Sequence, residues 1–540
     1  MTISGQIIDV RNRRIYKGEI QVSENRIISI EEKDDVEDQY ILPGFIDAHV
    51  HVESSMLVPS EFARLAVVHG TVATVSDPHE IGNVMGVEGV EYMIENGKQV
   101  NFKFNFGAPS CVPATTFETA GAEISPEQVE YLLQKPEVKY LAEMMNWPGV
   151  LFNDKVVYEK LDIAKKLGKP IDGHAPGLRG DQAEQYIKAG ISTDHECFTA
   201  DEARDKLKHG MKIAIREGSA AKNFDALVEL FGEAPEMLMF CSDDKHPDNL
   251  VESHIDDMVK RTLAKGYDLF DVLQAACITP IDHYNLDVGA LQVGDYADFI
   301  VVNSLEDFAI QSTYINGELV AENGKSHISR VNNAVINQFN CDPISIESIR
   351  VKATSDKVNV IEALDGQLIT NCLELETRRD ENGFAISDIV QDMLKMVVVN
   401  RYNNADPAIA FIKNFNLKEG ALASSVGHDS HNIIAVGVDD ASITKAINII
   451  IEAKGGVSAV AKNKEQVLPL PVAGIMSAED GYEIADAYTK IDQMTKKMGS
   501  SLTSPFMTLS FMALLVIPNL KLSDKGLFDG KNFEFKPLFD

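Results

Sequence analysis

The stretch Leu42-Pro43-Gly44-Phe45-Ile46-Asp47-Ala48-His49-Val50-His51 reads as an apolar strand that ends in His-x-His. In extended backbone alternate side chains share a face, so His49 and His51 point the same way and can hold one metal ion between them. One such pair is weak evidence, but this one heads a series. Glu143 closes Lys139-Tyr140-Leu141-Ala142, His174 closes Pro170-Ile171-Asp172-Gly173, His195 follows Ser192-Thr193-Asp194, and Asp243 follows Met239-Phe240-Cys241-Ser242. With Arg216 ending the run from Met211, the steps from Glu143 to His174, His195, Arg216 and Asp243 are 31, 21, 21 and 27 residues. Each step suits one strand, one helix and their loops.

The segments between these strand ends read as helices. Lys155 to Leu167 carries apolar residues on one face and stops at Gly168, and Asp181 to Ala189 does the same and stops at Gly190, a glycine being a common helix terminator. Repeated strand and helix units argue for a parallel sheet, and about eight of them close into a (β/α)₈ barrel. We assign it to residues 42–284. On either side the texture changes to short alternating strands, from Ile3 to Ile30 with a turn at Ser23-Glu24-Asn25, and again from Leu291 to Val302 and Tyr314 to Leu319. These flanks, 1–41 and 285–330, are expected to form one small β-sandwich domain. Residues 331–540 mix strands such as Ile433 to Val438 with helices such as Ser442 to Lys454, the latter capped by Asp439-Asp440 and ended by Gly455-Gly456. That region reads as an α+β domain.

The chain has 540 residues, with 50 basic against 82 acidic side chains and a net charge of -32. Such a balance disfavours nucleic acid or an anionic membrane as partner, and favours a small neutral or cationic substrate. The alternating N-terminus lacks the pattern of a signal peptide, so a cytoplasmic protein is expected. Six scattered cysteines without a Cys-x-x-Cys pair suggest reduced, buried thiols. Phe506 to Ile517 is too short to span a bilayer and reads as core.

Four histidines and two carboxylates at one barrel mouth suit one or two divalent ions, with Glu143 able to bridge a pair. A bound ion lowers the pKa of water to about 7 and makes hydroxide available at neutral pH. Asp243 is placed to take the proton and pass it to a leaving group, which is the chemistry of hydrolysis.

Leu42 to Met56, Ser76-Asp77-Pro78-His79-Glu80-Ile81-Gly82-Asn83, Asp172-Gly173-His174-Ala175-Pro176-Gly177, Thr193-Asp194-His195-Glu196 and Cys241-Ser242-Asp243-Asp244 together resemble the bacterial adenine deaminases of the amidohydrolase superfamily. The resemblance spans nearly the whole chain. It implies hydrolysis of adenine to hypoxanthine and ammonia in purine salvage, a dinuclear manganese or iron centre, and a homodimer or larger homo-oligomer. Its metal ligands fall on His49, His51, Glu143, His174, His195 and Asp243. Many dinuclear relatives bridge their ions with a carboxylated lysine. Here Glu143 stands at that strand, and Lys139 is expected within the strand or facing away from the mouth. This weakens a rival reading as a cyclic amidase of the hydantoinase or dihydroorotase kind. The complete ligand set speaks against a second rival, a barrel kept as a non-catalytic scaffold. No Pro-Cys-x-x-Cys follows a His-x-Glu, so the signature of the zinc nucleobase deaminases is absent.

Deamination needs an acid to protonate a ring nitrogen as well as a base. His79, Glu80 and Glu196 are candidates by position. Asp244 either accepts a hydrogen bond from a purine N–H or caps its turn. Arg216 either binds substrate or pairs with an acid such as Glu217. The polar cluster from Ser424 to Asn432 offers His428 and His431, which either reach the barrel mouth and touch substrate or bind another ion.

Overall fold

A computed structural model describes residues 1–539. Eight parallel strands form the central barrel: β1 (Phe45–Val50), β2 (Thr71–Ser76), β3 (Lys103–Ala108), β4 (Val138–Met144), β5 (Ile171–Gly173), β6 (Thr193–Asp194), β7 (Lys212–Arg216) and β8 (Leu238–Cys241). β1 to β5 pair in sequence order, as do β6 to β8. Two seams close the ring. Ser192 N donates to the Ile171 carbonyl at 2.9 Å between β5 and β6. Between β8 and β1, Asp243 N donates to the His49 carbonyl at 2.9 Å and His51 N to the Asp243 carbonyl at 3.1 Å. Gly173 is required at the first seam, because a Cβ there would collide with the Thr193 carbonyl. Asp47 reinforces the second by accepting from Ser242 N at 3.0 Å and His254 Nε2 at 2.8 Å.

The helices fall where the periodicity puts them. The one at Lys155–Lys166 is capped by Asp154, whose side chain accepts from Val157 N. It carries Lys165 and Lys166 in its last turn, favourable against the helix dipole. Gly168 and Gly190 follow their helices at φ 66° and 101°, a left-handed conformation that costs glycine little. The helix at Asp440–Ala453 takes its cap from Asp439.

Both flanks join in one eight-stranded sheet, where Phe299–Val302 pairs antiparallel with Tyr40–Pro43. The turn between Arg14–Ser23 and Arg26–Glu32 lies at Glu24 and Asn25. A second eight-stranded sheet, from Lys357–Ala363 to Lys464–Pro469, carries the Asp440–Ala453 helix and forms the heart of the C-terminal region. That region clamps onto the barrel rim through Val58 N to the Ser477 carbonyl at 3.1 Å and Arg64 to Asp480 at 2.8 Å. Phe506 to Leu515 is buried, as core should be. One expectation needs correcting. Five cysteines are buried, but Cys372 is exposed, because it lies in the Thr370–Glu376 strand, at the edge of the second sheet.

Burial pushes His69 and His283, both remote from the strand ends that carry the ligand series, down from 6.5 to about 4. At these two residues the unfolded chain takes up protons first as pH falls, so their contribution to stability is full above about 6.5 and is lost progressively toward 4. Between pH 7.5 and 5 the denaturant midpoint of the parent should fall relative to that of His283→Phe, which lacks this histidine's contribution. An unchanged slope in the variant would remove His283 from the effect.

Candidate metal centre

The six side chains singled out at strand ends meet at the C-terminal mouth of the barrel. His51 Nε2 lies 3.3 Å from His49 Nε2, 3.2 Å from Asp243 Oδ1 and 3.3 Å from Glu143 Oε1. The other Glu143 oxygen lies 2.8 Å from His174 Nδ1 and 3.4 Å from His195 Nε2. Glu143 thus stands between a His49, His51 and Asp243 group and a His174 and His195 group. All six are buried. Asp243 reaches the site through a left-handed turn, φ 55°, at the end of β8.

This arrangement fits a divalent ion. His51 Nδ1 faces the Asp77 carbonyl at 3.1 Å and must donate to it. In the neutral ring that leaves Nε2 as a lone pair facing two carboxylate oxygens and another imidazole, which is repulsive unless positive charge lies among them. Burial and the nearby His79 pull the His51 pKa down, yet Asp243 and Glu143 hold it well above the usual range. The same demand for a cation is thus visible in the protein groups alone. His49 Nδ1 and His174 Nε2 are buried without a hydrogen-bond partner. Imidazole and carboxylate donors suit manganese, iron or zinc better than an all-oxygen cation.

Around the six, Arg216 is committed to acids, though not to Glu217. Its guanidinium forks onto Glu196, with one contact at 3.1 Å, and reaches Asp243 Oδ2 at 2.6 Å. Glu217 instead pairs with Lys222 and Arg261 at 3.2 and 3.1 Å. Burial alone would raise the Asp243 pKa, but Arg216, then His49 and His51, hold it well below the usual carboxylate range. Asp244 accepts from Ser54 Oγ. Lys139 turns away to Asp287, 3.1 Å distant, and takes no part.

His79 and Glu80 open the helix His79–Met85. His79 Nδ1 lies 3.0 Å from Asp77 Oδ2 and 3.6 Å from Glu143 Oε1. Glu80 meets both His428 and His431 of the C-terminal region. A small cavity of about 20 Å³ lies beside these six side chains, bounded by His79, Asp244, Met145, Leu368, Phe511 and Leu514 among others. Leu368, Phe511 and Leu514 carried no chemical signal in the sequence, since apolar residues of a distant region read simply as core.

A closed parallel barrel with histidines and carboxylates gathered at its mouth defines the metal-dependent amidohydrolases, and residues 40–320 match the Amidohydrolase family. Residues 367–534 match the adenine deaminase C-terminal domain. The adenine deaminase of Salinibacter ruber is 55% identical over 540 residues, covering 100% of this chain and 99% of that one. Those of Sulfurovum sp. and Methanosarcina acetivorans are 54% and 52% identical, each match covering 99% of both chains. The chain belongs to the adenine deaminase family.

Proposed function

We propose that this protein hydrolyses adenine to hypoxanthine and ammonia in purine salvage, as a cytoplasmic homodimer or larger homo-oligomer with a dinuclear manganese or iron centre. The observation that carries the reading is the meeting of His49, His51, Glu143, His174, His195 and Asp243 around Glu143. Family membership supplies the substrate. Among the described residues no helix is long and apolar enough to cross a membrane.

The six residues would hold the ions, which when bound supply a strong nucleophile from water at neutral pH. Asp243, kept ionised by Arg216, accepts the proton of the water that attacks C6. It returns that proton to the amino group as ammonia leaves. Asp244 and Glu196 face the cavity and accept N–H groups of the base, Glu196 being held in place by Arg216. Of the acid candidates, His79 fits. Burial opposes its charge, but Asp77 and Glu80 hold its pKa well above the usual range, so Nε2 can protonate a ring nitrogen and take back the remaining hydroxyl proton as the C6 carbonyl forms. Glu80 is occupied by His428 and His431 and is not free for that task. The 20 Å³ cavity has room for about one water molecule, so a purine enters only when the cover of Leu368, Phe511 and Leu514 moves aside.

Ammonia release from adenine, set against ring opening of hydantoin and dihydroorotate, tests the reaction. Turnover of adenine alone is expected, and ring opening without ammonia release would replace this reading with the cyclic amidase. His79→Gln should lower kcat by about 10²–10⁴-fold, the range of general acid catalysis, with bound metal unchanged. Undiminished kcat would remove His79 from the acid role.

A further inference from the structure

We propose an additional divalent-cation site where the barrel meets the C-terminal region, held by Glu80, His428 and His431 with Asp429 beside them. It draws on different residues from the six-residue centre, though Glu80, His428 and Asp429 line the same small cavity, and it does not depend on how many ions that centre takes. His79 stands between the two, with Nδ1 3.6 Å from Glu143 Oε1 on one side and Nε2 3.7 Å from Asp429 Oδ1 on the other.

Glu80 and His428 lie 348 residues apart in sequence, yet their side chains touch. His431 reaches the other Glu80 oxygen, and Asp429 Oδ1 is 4.0 Å from His428 Nδ1. All four residues are buried. Buried polar atoms are nearly always hydrogen-bonded, and each exception asks for a cause. Two exceptions fall here: among the described residues Asp429 Oδ2 and His431 Nδ1 have no hydrogen-bond partner, while His431 Nε2 and Glu80 Oε2 face each other. An ion pair of protonated His428 with Glu80 accounts for two of the four residues. With His431 Nε2 on the other Glu80 oxygen, it still leaves His431 Nδ1 and Asp429 Oδ2 without a partner in the interior. A cation shared by His431, His428 and Glu80 accounts for the set.

His428 Nδ1 faces Glu80 while its Nε2 lies 3.9 Å from Asp244 Oδ1, and its ring packs on Phe511 with centroids 5.2 Å apart. Two imidazoles and one or two carboxylates select manganese, iron or zinc over calcium or magnesium, which favour oxygen donors. An ion here ties the Gly427 to Asn432 turn to the first turn of the helix His79–Met85, and so fastens the cover over the mouth.

The test uses the full chain loaded with Mn²⁺. Its crystals, measured at the manganese edge, should show an anomalous peak bounded by Glu80, His428 and His431, resolved from density beside Glu143. After dialysis, His431→Asn should hold one equivalent of metal per chain less than the parent. A map without that peak, or an equal metal count in parent and variant, overturns the proposal. Should the variant fail to fold, the parent's map decides alone.

Discussion

Asp243→Asn is expected to lower kcat for adenine by about 10²–10⁴-fold, the span ascribed to general acid–base catalysis, in a chain that still folds and keeps most of its metal. Asparagine has the shape of aspartate and tolerates the left-handed φ of 55° at this position. The backbone bonds to His49 and His51 that close the barrel involve only main-chain atoms. Glu196 continues to neutralise Arg216. What the amide lacks is the ability to take up a proton. Steady-state turnover under saturating Mn²⁺, with metal content measured on the same sample, separates the two effects. Parent-like turnover would remove Asp243 from the base role. Lost metal together with lost turnover would show that its weight lies in ligation.

Glu143→Gln should strike the metal itself. The two oxygens of Glu143 face different imidazoles, Oε1 toward His51 and Oε2 toward His174 and His195. A carboxamide has one oxygen to offer, and its NH₂ group would meet the other imidazoles or a cation with the wrong polarity. Losing even an outer partner of a ligand typically costs 10–100-fold in metal affinity, so removal of a bridging ligand should cost at least about that. The variant is expected to retain fewer ions per chain after dialysis and to lose activity in proportion. Two ions held as tightly as in the parent would exclude Glu143 as the bridge.

The meeting of the six side chains was legible in the sequence because barrel geometry converts a one-dimensional signal into a three-dimensional one. A residue at the C-terminal end of a barrel strand faces the mouth wherever it falls in the chain, so His49, His51, Glu143, His174, His195 and Asp243 could be picked out by the apolar runs they terminate. The flanking sheet was legible by alternation at both ends, although its pairing of Tyr40–Pro43 with Phe299–Val302 spans the whole barrel. Partner choice was less accessible. Arg216 has Glu217 beside it in sequence, but consecutive residues of a strand point to opposite faces, and it pairs instead with Glu196 and Asp243. Contacts between distant segments leave no local pattern at all. Nothing near Glu80 announces that His428 and His431 close on it, and nothing in the apolar run containing Phe511 separates a cavity wall from ordinary core.

The most direct test of the central claim is to strip the protein of metal, add Mn²⁺ stepwise and follow ammonia released from adenine. The account predicts no turnover in the stripped chain and activity that climbs with added ion to a plateau. Undiminished ammonia release from a chain free of metal would contradict it.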